Sequence, residues 1–339
     1  MILVTGGTGL VGAHLLLHLL ENGAEKIRST YRDSRNLTKT KQLFELYKKG
    51  DLYTKIDWVL ADILDVPALE IAFQEVDYVY HCAALISFDP AEEDKLRKVN
   101  IEGTANIVNF CIDKKVKKLC YVSSIAALGD LIPSEGKHPN QTPINEQTEW
   151  NPEVPHSDYA ISKYGAEMEV WRGLQEGLPV VIVNPGVILG PGFWNQGSGI
   201  LFQTVKKGIS FYTNGSTGYV SVIDVVTIMN RLMRSDCSGE KFILISENWS
   251  YKDILDNIAA KLDVKKPTIQ ASSGLLNLAW RLDWIKSKIF QSKRKLSKTS
   301  AASLLSQTVF SNDKIKKELN YSFTSIEDYL ATIIPFFNN

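Results

Sequence analysis

Met1-Ile2-Leu3-Val4-Thr5-Gly6-Gly7-Thr8-Gly9-Leu10-Val11-Gly12 opens the chain and runs directly into Ala13-His14-Leu15-Leu16-Leu17-His18-Leu19-Leu20. A short apolar run, three glycines at a spacing of three and an apolar helical pattern read as strand, tight turn and helix. The physics of such a turn is phosphate binding. Glycines let the backbone take left-handed angles and approach a ligand closely, and a helix N-terminus offers unpaired N–H groups and a positive dipole end. The spacing is Gly-x-x-Gly-x-x-Gly, so it matches the commoner Gly-x-Gly-x-x-Gly dinucleotide fingerprint only loosely. The alternative is a strand-to-helix turn that happens to be glycine-rich.

At 339 residues the chain can bury one large core, or one core with a smaller lobe. Its 38 basic and 38 acidic residues cancel, so net charge implies no nucleic-acid partner. Cys82, Cys111, Cys120 and Cys237 fall at irregular spacings in apolar or helical contexts, which suggests reduced thiols. Cysteine and histidine nowhere cluster at metal-ligand spacing. Apolar runs all fall short of transmembrane length, so no integral membrane segment is expected. With the first strand at the N-terminus leaving no room for a signal peptide, a cytoplasmic protein is expected.

Beyond an Asn22-Gly23 helix stop, Lys26 to Tyr31 reads as the second strand, ending in Arg32-Asp33-Ser34-Arg35. Dinucleotide-binding folds choose their cofactor at this point. A carboxylate takes the ribose hydroxyls of NAD, and an arginine accommodates the extra phosphate of NADP. Arg32 favours NADP; Asp33, one residue on, keeps NAD as the alternative. A charged helix over Leu37 to Lys49 precedes a third strand, Ile56 to Leu60, and Ala61-Asp62-Ile63-Leu64-Asp65. An aspartate just past a strand's carboxyl end sits over the cofactor crevice, although Asp65 serves equally well as the cap of a helix near Pro67. Val76 to His81 is the fourth strand, and small residues after it (Cys82-Ala83-Ala84) let the backbone lie flat against a cofactor. His81 reads as a structural buried histidine. A long helix is expected from about Pro90 to Asp113, and a fifth strand over Lys117 to Ser123.

That strand leads into Ser123-Ser124-Ile125-Ala126-Ala127-Leu128-Gly129, a polar coil to about His156, and then Tyr159-Ala160-Ile161-Ser162-Lys163. Tyr159 and Lys163, four apart on a predicted helix, project from one face as neighbours. An ammonium beside a phenol favours the phenolate and lowers its pKa from about 10, making the tyrosine a usable proton donor or acceptor near neutrality. A serine hydroxyl at a strand's carboxyl end can orient a carbonyl or alcohol oxygen toward the same point. Tyr-x-x-x-Lys alone is a weak signal. In register after a fifth strand and downstream of a glycine-rich turn, it is strong.

These motifs, together with Asn100-Ile101-Glu102-Gly103-Thr104, Asn184-Pro185-Gly186 and Val220-Ser221-Val222-Ile223-Asp224, resemble those of the extended short-chain dehydrogenase/reductase family, also called the NAD-dependent epimerase/dehydratase family. The nearest look is to its dihydroflavonol reductase and 3β-hydroxysteroid dehydrogenase branch. The resemblance covers most of the chain and fades after about residue 250. It implies a doubly wound parallel α/β (Rossmann) sheet, residues 1–184 with 217–246, and a smaller discontinuous substrate lobe, residues 185–216 and 247–339. It implies Tyr159 as acid/base, Lys163 as its pKa partner and ribose ligand, and Ser124 rather than Ser123 as donor to the substrate oxygen. Cofactor contacts are implied at Gly6, Thr8, Gly9, Leu10, Val11, Gly12 and Arg32. Asp62, Ile63, Ala83, Ala84, Tyr159, Lys163 and Pro185 complete that set, while Asn100 is supportive. Family members dimerise through two long helices, so a homodimer is implied.

Departures from the family pattern narrow the activity. Dehydratases of the family carry acidic residues directly after the catalytic serine or threonine, where this chain has Ile125 and Ala126. Sugar-nucleotide epimerases keep an acidic residue at the end of the second strand, where Arg32 stands, although Asp33 keeps that reading open. Hydride transfer between an exchangeable nicotinamide and a carbonyl or alcohol substrate is the expectation. An epimerase is the alternative, and a non-catalytic cofactor-binding protein is a remoter one, because both Tyr159 and Lys163 are kept.

Further on, a sixth strand should end at Asn184-Pro185, a helix should span Gly199 to Lys207, and Asp224 should cap a helix reaching Arg234. Another strand is expected over Lys241 to Ser246 and a helix over Tyr251 to Leu262. Leu275, Leu278, Ala279, Leu282, Ile285 and Ile289 recur at helical spacing, with Trp280, Trp284 and Phe290 alongside. Lys286, Lys288, Lys293, Arg294, Lys295 and Lys298 make this stretch basic. A lobe helix packing on the substrate pocket is the preferred reading; a membrane-surface helix admitting a lipophilic substrate is the other.

Overall fold

The computed structural model describes residues 1–130, 142–290, 294 and 296–338. Residues 131–141 of the expected polar coil, Lys293, Lys295 and the side chain of Phe290 lie outside the described residues. Strands β1 (Ile2–Thr5), β2 (Ile27–Tyr31), β3 (Ile56–Leu60), β4 (Tyr78–His81), β5 (Lys118–Val122) and β6 (Val180–Pro185) are followed by β7 (Val187–Leu189), β8 (Phe211–Tyr212), β9 (Ser216–Ser221), β10 (Glu240–Leu244), β11 (Glu247–Ser250) and β12 (Ile269–Gln270).

Seven of them form one sheet in the order β3-β2-β1-β4-β5-β6-β10, and every pairing in it is parallel. The two-residue period of a strand explains why its centre is apolar throughout. Val4, Tyr80, Cys120, Val181 and Val183 face one layer, made by helices Leu10–Glu21 and Val222–Arg234. Leu3, Val79, Leu119, Tyr121 and Ile182 face the other, made by helices Gly103–Asp113 and Asp158–Gln175. A sheet covered on both faces needs continuous hydrophobic runs, and β5 and β6 are buried at every residue. The strand order reverses between β1 and β4, and ligands of doubly wound sheets bind in the crevice at such a point.

The helix expected from Pro90 to Asp113 is a 3₁₀ turn (Pro90–Glu92), an α-helix (Glu93–Arg97), a π-helical turn (Lys98–Glu102) and an α-helix (Gly103–Asp113). The π turn centres on Asn100, and such bulges concentrate at functional sites. Asp224 does not cap its helix. Ser221 does, accepting from Asp224 N at 2.9 Å, while the buried Asp224 carboxylate receives Ser221 Oγ and Tyr321 Oη, each at 2.7 Å. Ser221 precedes the apolar run by one residue, which is where a cap belongs.

The chain after Pro185 holds two small sheets that local patterns do not announce. β7 runs parallel to β9, β9 antiparallel to β11, and β8 parallel to β12. Their strands are two to six residues long, too short for a period to register. Helices Gly199–Lys206, Tyr251–Lys261 and Ile326–Asn338 share a separate apolar cluster with Leu189 and Tyr219 of these strands.

Candidate active site

The turn after β1 is shaped by what its glycines touch. Gly6 has φ +72°, and a Cβ there would lie 2.6 Å from Ala83 N and 2.8 Å from the Cys82 carbonyl carbon. A Cβ on Gly12 would lie 2.2 Å from Gly6 O, so the first helical turn can rest on the loop only if that residue is glycine. Gly9 is the N-cap of helix Leu10–Glu21 and has no side chain to bond the helix's first N–H groups. Those N–H groups therefore carry no side-chain acceptor, and the close-packed turn fits a dinucleotide pyrophosphate. Thr8, Leu10 and Val11 belong to the same turn. Gly7, which the spacing rule passes over, is equally constrained: a Cβ would meet Ser29 Oγ at 2.0 Å, and its carbonyl accepts Thr40 Oγ1 at 3.1 Å. Ala83 N donates to Thr5 Oγ1 at 3.3 Å, which holds Ala83 and Ala84 beside the turn.

At the carboxyl end of β2 the two candidate residues part company. Asp33 accepts Arg35 N and Nε, each at 2.9 Å, as cap of the 3₁₀ turn Ser34–Asn36. The Arg35 guanidinium and N–H hold its carboxyl down to about 2. Arg32 is half exposed and pairs with Asp62, Nη1 to Oδ2 at 3.8 Å. Asp62 Oδ1 accepts Leu64 N at 2.9 Å, and Ile63 is buried against Gly103. Asp65 caps helix Val66–Ala72 through Ala68 N, so it serves structure rather than the crevice.

Ser124 follows β5, and Tyr159 and Lys163 lie in the first turns of helix Asp158–Gln175, which Ser157 caps. Burial pushes the Tyr159 phenol up to about 12, an effect that the neighbouring Ser124 hydroxyl opposes. Lys163 is 1 % exposed and donates to Tyr121 Oη and to Val122 O, both at 2.8 Å. Burial pulls its ammonium down to about 7, opposed by the Glu167 carboxylate. The expectation that Lys163 lowers the Tyr159 pKa does not hold in this arrangement. Neighbouring positions on one helix face do not fix where a flexible four-carbon side chain ends, and Lys163 turns toward β5. Asn100 supports the pair from the π turn. Its amide closes on both Leu85 N (2.7 Å) and Leu85 O (2.9 Å), and it donates to Ser162 Oγ at 2.9 Å.

Residues that motif reading passed over complete the site from beneath. Thr5 Oγ1 meets His81 Nδ1 at 2.7 Å, His81 Nε2 meets Thr104 Oγ1 at 3.0 Å, and the His81 ring lies 5.4 Å from that of Tyr121, whose hydroxyl receives Lys163. This buried line joins the glycine turn to the lysine. Burial holds His81 down to about 3, so it is a neutral structural link. Glu167, one helical turn beyond Lys163, accepts Ser123 Oγ at 2.8 Å and Asn184 Nδ2 at 3.0 Å, and pairs with Lys241 at 3.3 Å. Asn184 also donates to Ser124 O at 3.0 Å, which ties β6 to the serine. Pro185 closes β6 beside Leu244. Spacing offered a signal for Glu167, four residues after Lys163; it offered none for Tyr121, whose partner is 42 residues away.

A family model for the NAD dependent epimerase/dehydratase family matches residues 2–244. The chain belongs to that family. It is 27% identical to a putative dihydroflavonol 4-reductase of Synechocystis sp. over 99% of this chain and 94% of the relative. It is 30% identical to the anthocyanidin reductase of Arabidopsis thaliana over 75% of this chain and 78% of that enzyme. Among solved structures, that of gox2253 superposes with a TM-score of 0.80 at 26% identity, covering 100% of this chain and 98% of the other. The chain is thus an enzyme of the extended short-chain type, with the parallel sheet that the resemblance implied. Among the described residues no group of side chains is placed to hold a metal ion.

Proposed function

We propose that this enzyme is an NADP(H)-preferring oxidoreductase acting on a carbonyl or alcohol substrate, with Ser124, Tyr159 and Lys163 as its catalytic residues. The observation that carries the reading is the placement of Tyr159 next to the Ser124 hydroxyl that follows β5, with Lys163 buried one turn further along the same helix. The dinucleotide supplies the hydride when bound. Ser124 Oγ orients the substrate oxygen, and the Tyr159 hydroxyl gives its proton to the alkoxide that develops there. A phenol held at about 12 is fully protonated at neutral pH, which suits proton donation in the direction of reduction. Lys163 places a titratable positive charge at the carboxyl end of β5, on Tyr121 Oη and Val122 O. Gly6, Gly9 and Gly12 hold the pyrophosphate at the helix N-terminus, Arg32 receives the 2′-phosphate, and residues 185–216 and 247–339 form the substrate lobe. Homodimerisation through the two long helices belongs to the same reading.

Two features weigh against the sister chemistries. Ile125 and Ala126 offer no carboxylate for water elimination. Asp33, the acidic residue that an NAD-retaining epimerase would want at the end of β2, is engaged by Arg35. Tyr159→Phe should abolish NADPH-dependent carbonyl reduction while leaving NADPH affinity within about threefold, because it removes the proton and leaves the cradle. Undiminished turnover sinks the assignment, and stoichiometric NAD released on denaturation of the wild-type protein identifies an epimerase instead.

A further inference from the structure

Leu275, Leu278, Leu282, Ile285 and Ile289 follow one another at alternating spacings of three and four along helix Ser273–Phe290. All five stand outward, between 40% and 67% exposed. The helix packs on the body with its other side. Leu276 is buried with Ala271 and Ala301, Trp280 joins them, and Asp283 Oδ2 accepts Leu296 N at 3.1 Å. The helix packs through Leu276 and Trp280, so the apolar row that predicted the helix is the row left outside. A three–four repeat keeps its members on one stripe, which here runs about 21 Å along the axis. Single exposed leucines need no explanation, but a contiguous stripe marks an interaction surface.

The charges beside the stripe select its occupant. Helical geometry places Arg281 and Lys288 along one border and Lys286 along the other, all three exposed. The acidic Asp283 lies on the body side. Two copies docked stripe to stripe would bring these bordering positions together, cation against cation. An anionic bilayer complements both features, taking the aliphatic side chains into its acyl boundary and the cations at its headgroup phosphates. No described helix is long and apolar enough to cross a membrane, so the helix would lie in the surface plane.

We propose that helix Ser273–Phe290 is an in-plane anchor that docks the enzyme on anionic lipid. Beyond its last turn, Arg294 N donates to Asp89 Oδ2 at 3.2 Å, next to Phe88, whose exposed ring packs 5.7 Å from that of Tyr159. The anchor is thus tied to the loop bordering the candidate active site, so docking brings that site toward the lipid. The docking itself stands apart from the chemistry assigned to Tyr159 and is tested without turnover.

The full-length protein is sedimented with phosphatidylcholine vesicles, with and without phosphatidylserine. The wild type should pellet with the serine-lipid vesicles at least about tenfold more strongly than with the neutral ones, and the difference should shrink as salt rises. Leu282→Glu/Ile285→Glu should lose about tenfold or more of that binding, with little change in the denaturation midpoint because the two side chains stand 56% and 44% exposed. Arg281→Glu/Lys288→Glu should abolish the preference for anionic vesicles. A wild type left in the supernatant with both vesicle types overturns the proposal, as does full binding by the Leu282/Ile285 variant. A wild-type dimer that the same variant converts to monomer, without vesicle binding, assigns the stripe to a second copy and likewise overturns it.

Discussion

Replacing Arg32 by alanine tests what the end of β2 holds. The Arg32 guanidinium lies 3.8 Å from Asp62 Oδ2, and the two side chains are 54% and 38% exposed. An exposed pair at that separation restrains the arginine by well under about 1 kcal/mol. Nearly the full strength of a guanidinium–phosphate contact therefore remains for a ribose 2′-phosphate. Such a charge-assisted hydrogen bond contributes about 1.5–3 kcal/mol, at about 1.4 kcal/mol per factor of ten in affinity. Arg32→Ala should weaken NADPH by about 10- to 150-fold and change NADH by less than about threefold, read by fluorescence titration of each nucleotide. Asp33 gives no rescue in the single variant, because Arg35 holds its carboxylate within the turn. Removing Arg35 as well frees that carboxylate for ribose hydroxyls, so the double variant should move toward NADH. An unchanged ratio of NADPH to NADH affinity in Arg32→Ala refutes the reasoning, as does a wild type that prefers NADH.

Tyr121→Phe removes one of the two acceptors of the Lys163 ammonium. That acceptor favours the charged form, so its loss moves the lysine further down from about 7. The proton is bound below this pKa and lost above it, so the alkaline limb of kcat/KM for NADPH should shift to lower pH. Activity well below the limb should be retained; a limb that stays put would show that the lysine's proton does not govern it. Asp224→Ala acts on stability alone. It strips an acceptor from Ser221, from Tyr321 and from Thr324 N and Oγ1 at 3.2 Å, and should cost about 3–5 kcal/mol. The urea midpoint should fall at unchanged slope, and a loss under about 1 kcal/mol would mean that these contacts are dispensable.

Local geometry is what the sequence determined by itself. The apolar runs of β1 to β6, the glycine turn and the helix carrying Tyr159 and Lys163 are each written within a dozen or so residues, because strand and helix periods and the space around a glycine are properties of neighbouring backbone. Six strands, the layers on either side of them and the family could therefore be read before any coordinates. Tertiary structure decided what depends on which side chain meets which across the chain. The sequence places Asp33 beside Arg32 without saying that Arg35 engages it. It places Lys163 one turn from Tyr159 without saying that its ammonium ends on Tyr121, whose ring stands on β5. It marks Leu275 to Ile289 as one face of a helix, but periodicity is the same for a face turned inward and one turned outward. Only the packing of Leu276 and Trp280 against Ala301 and Leu304, more than twenty residues later, sets that orientation.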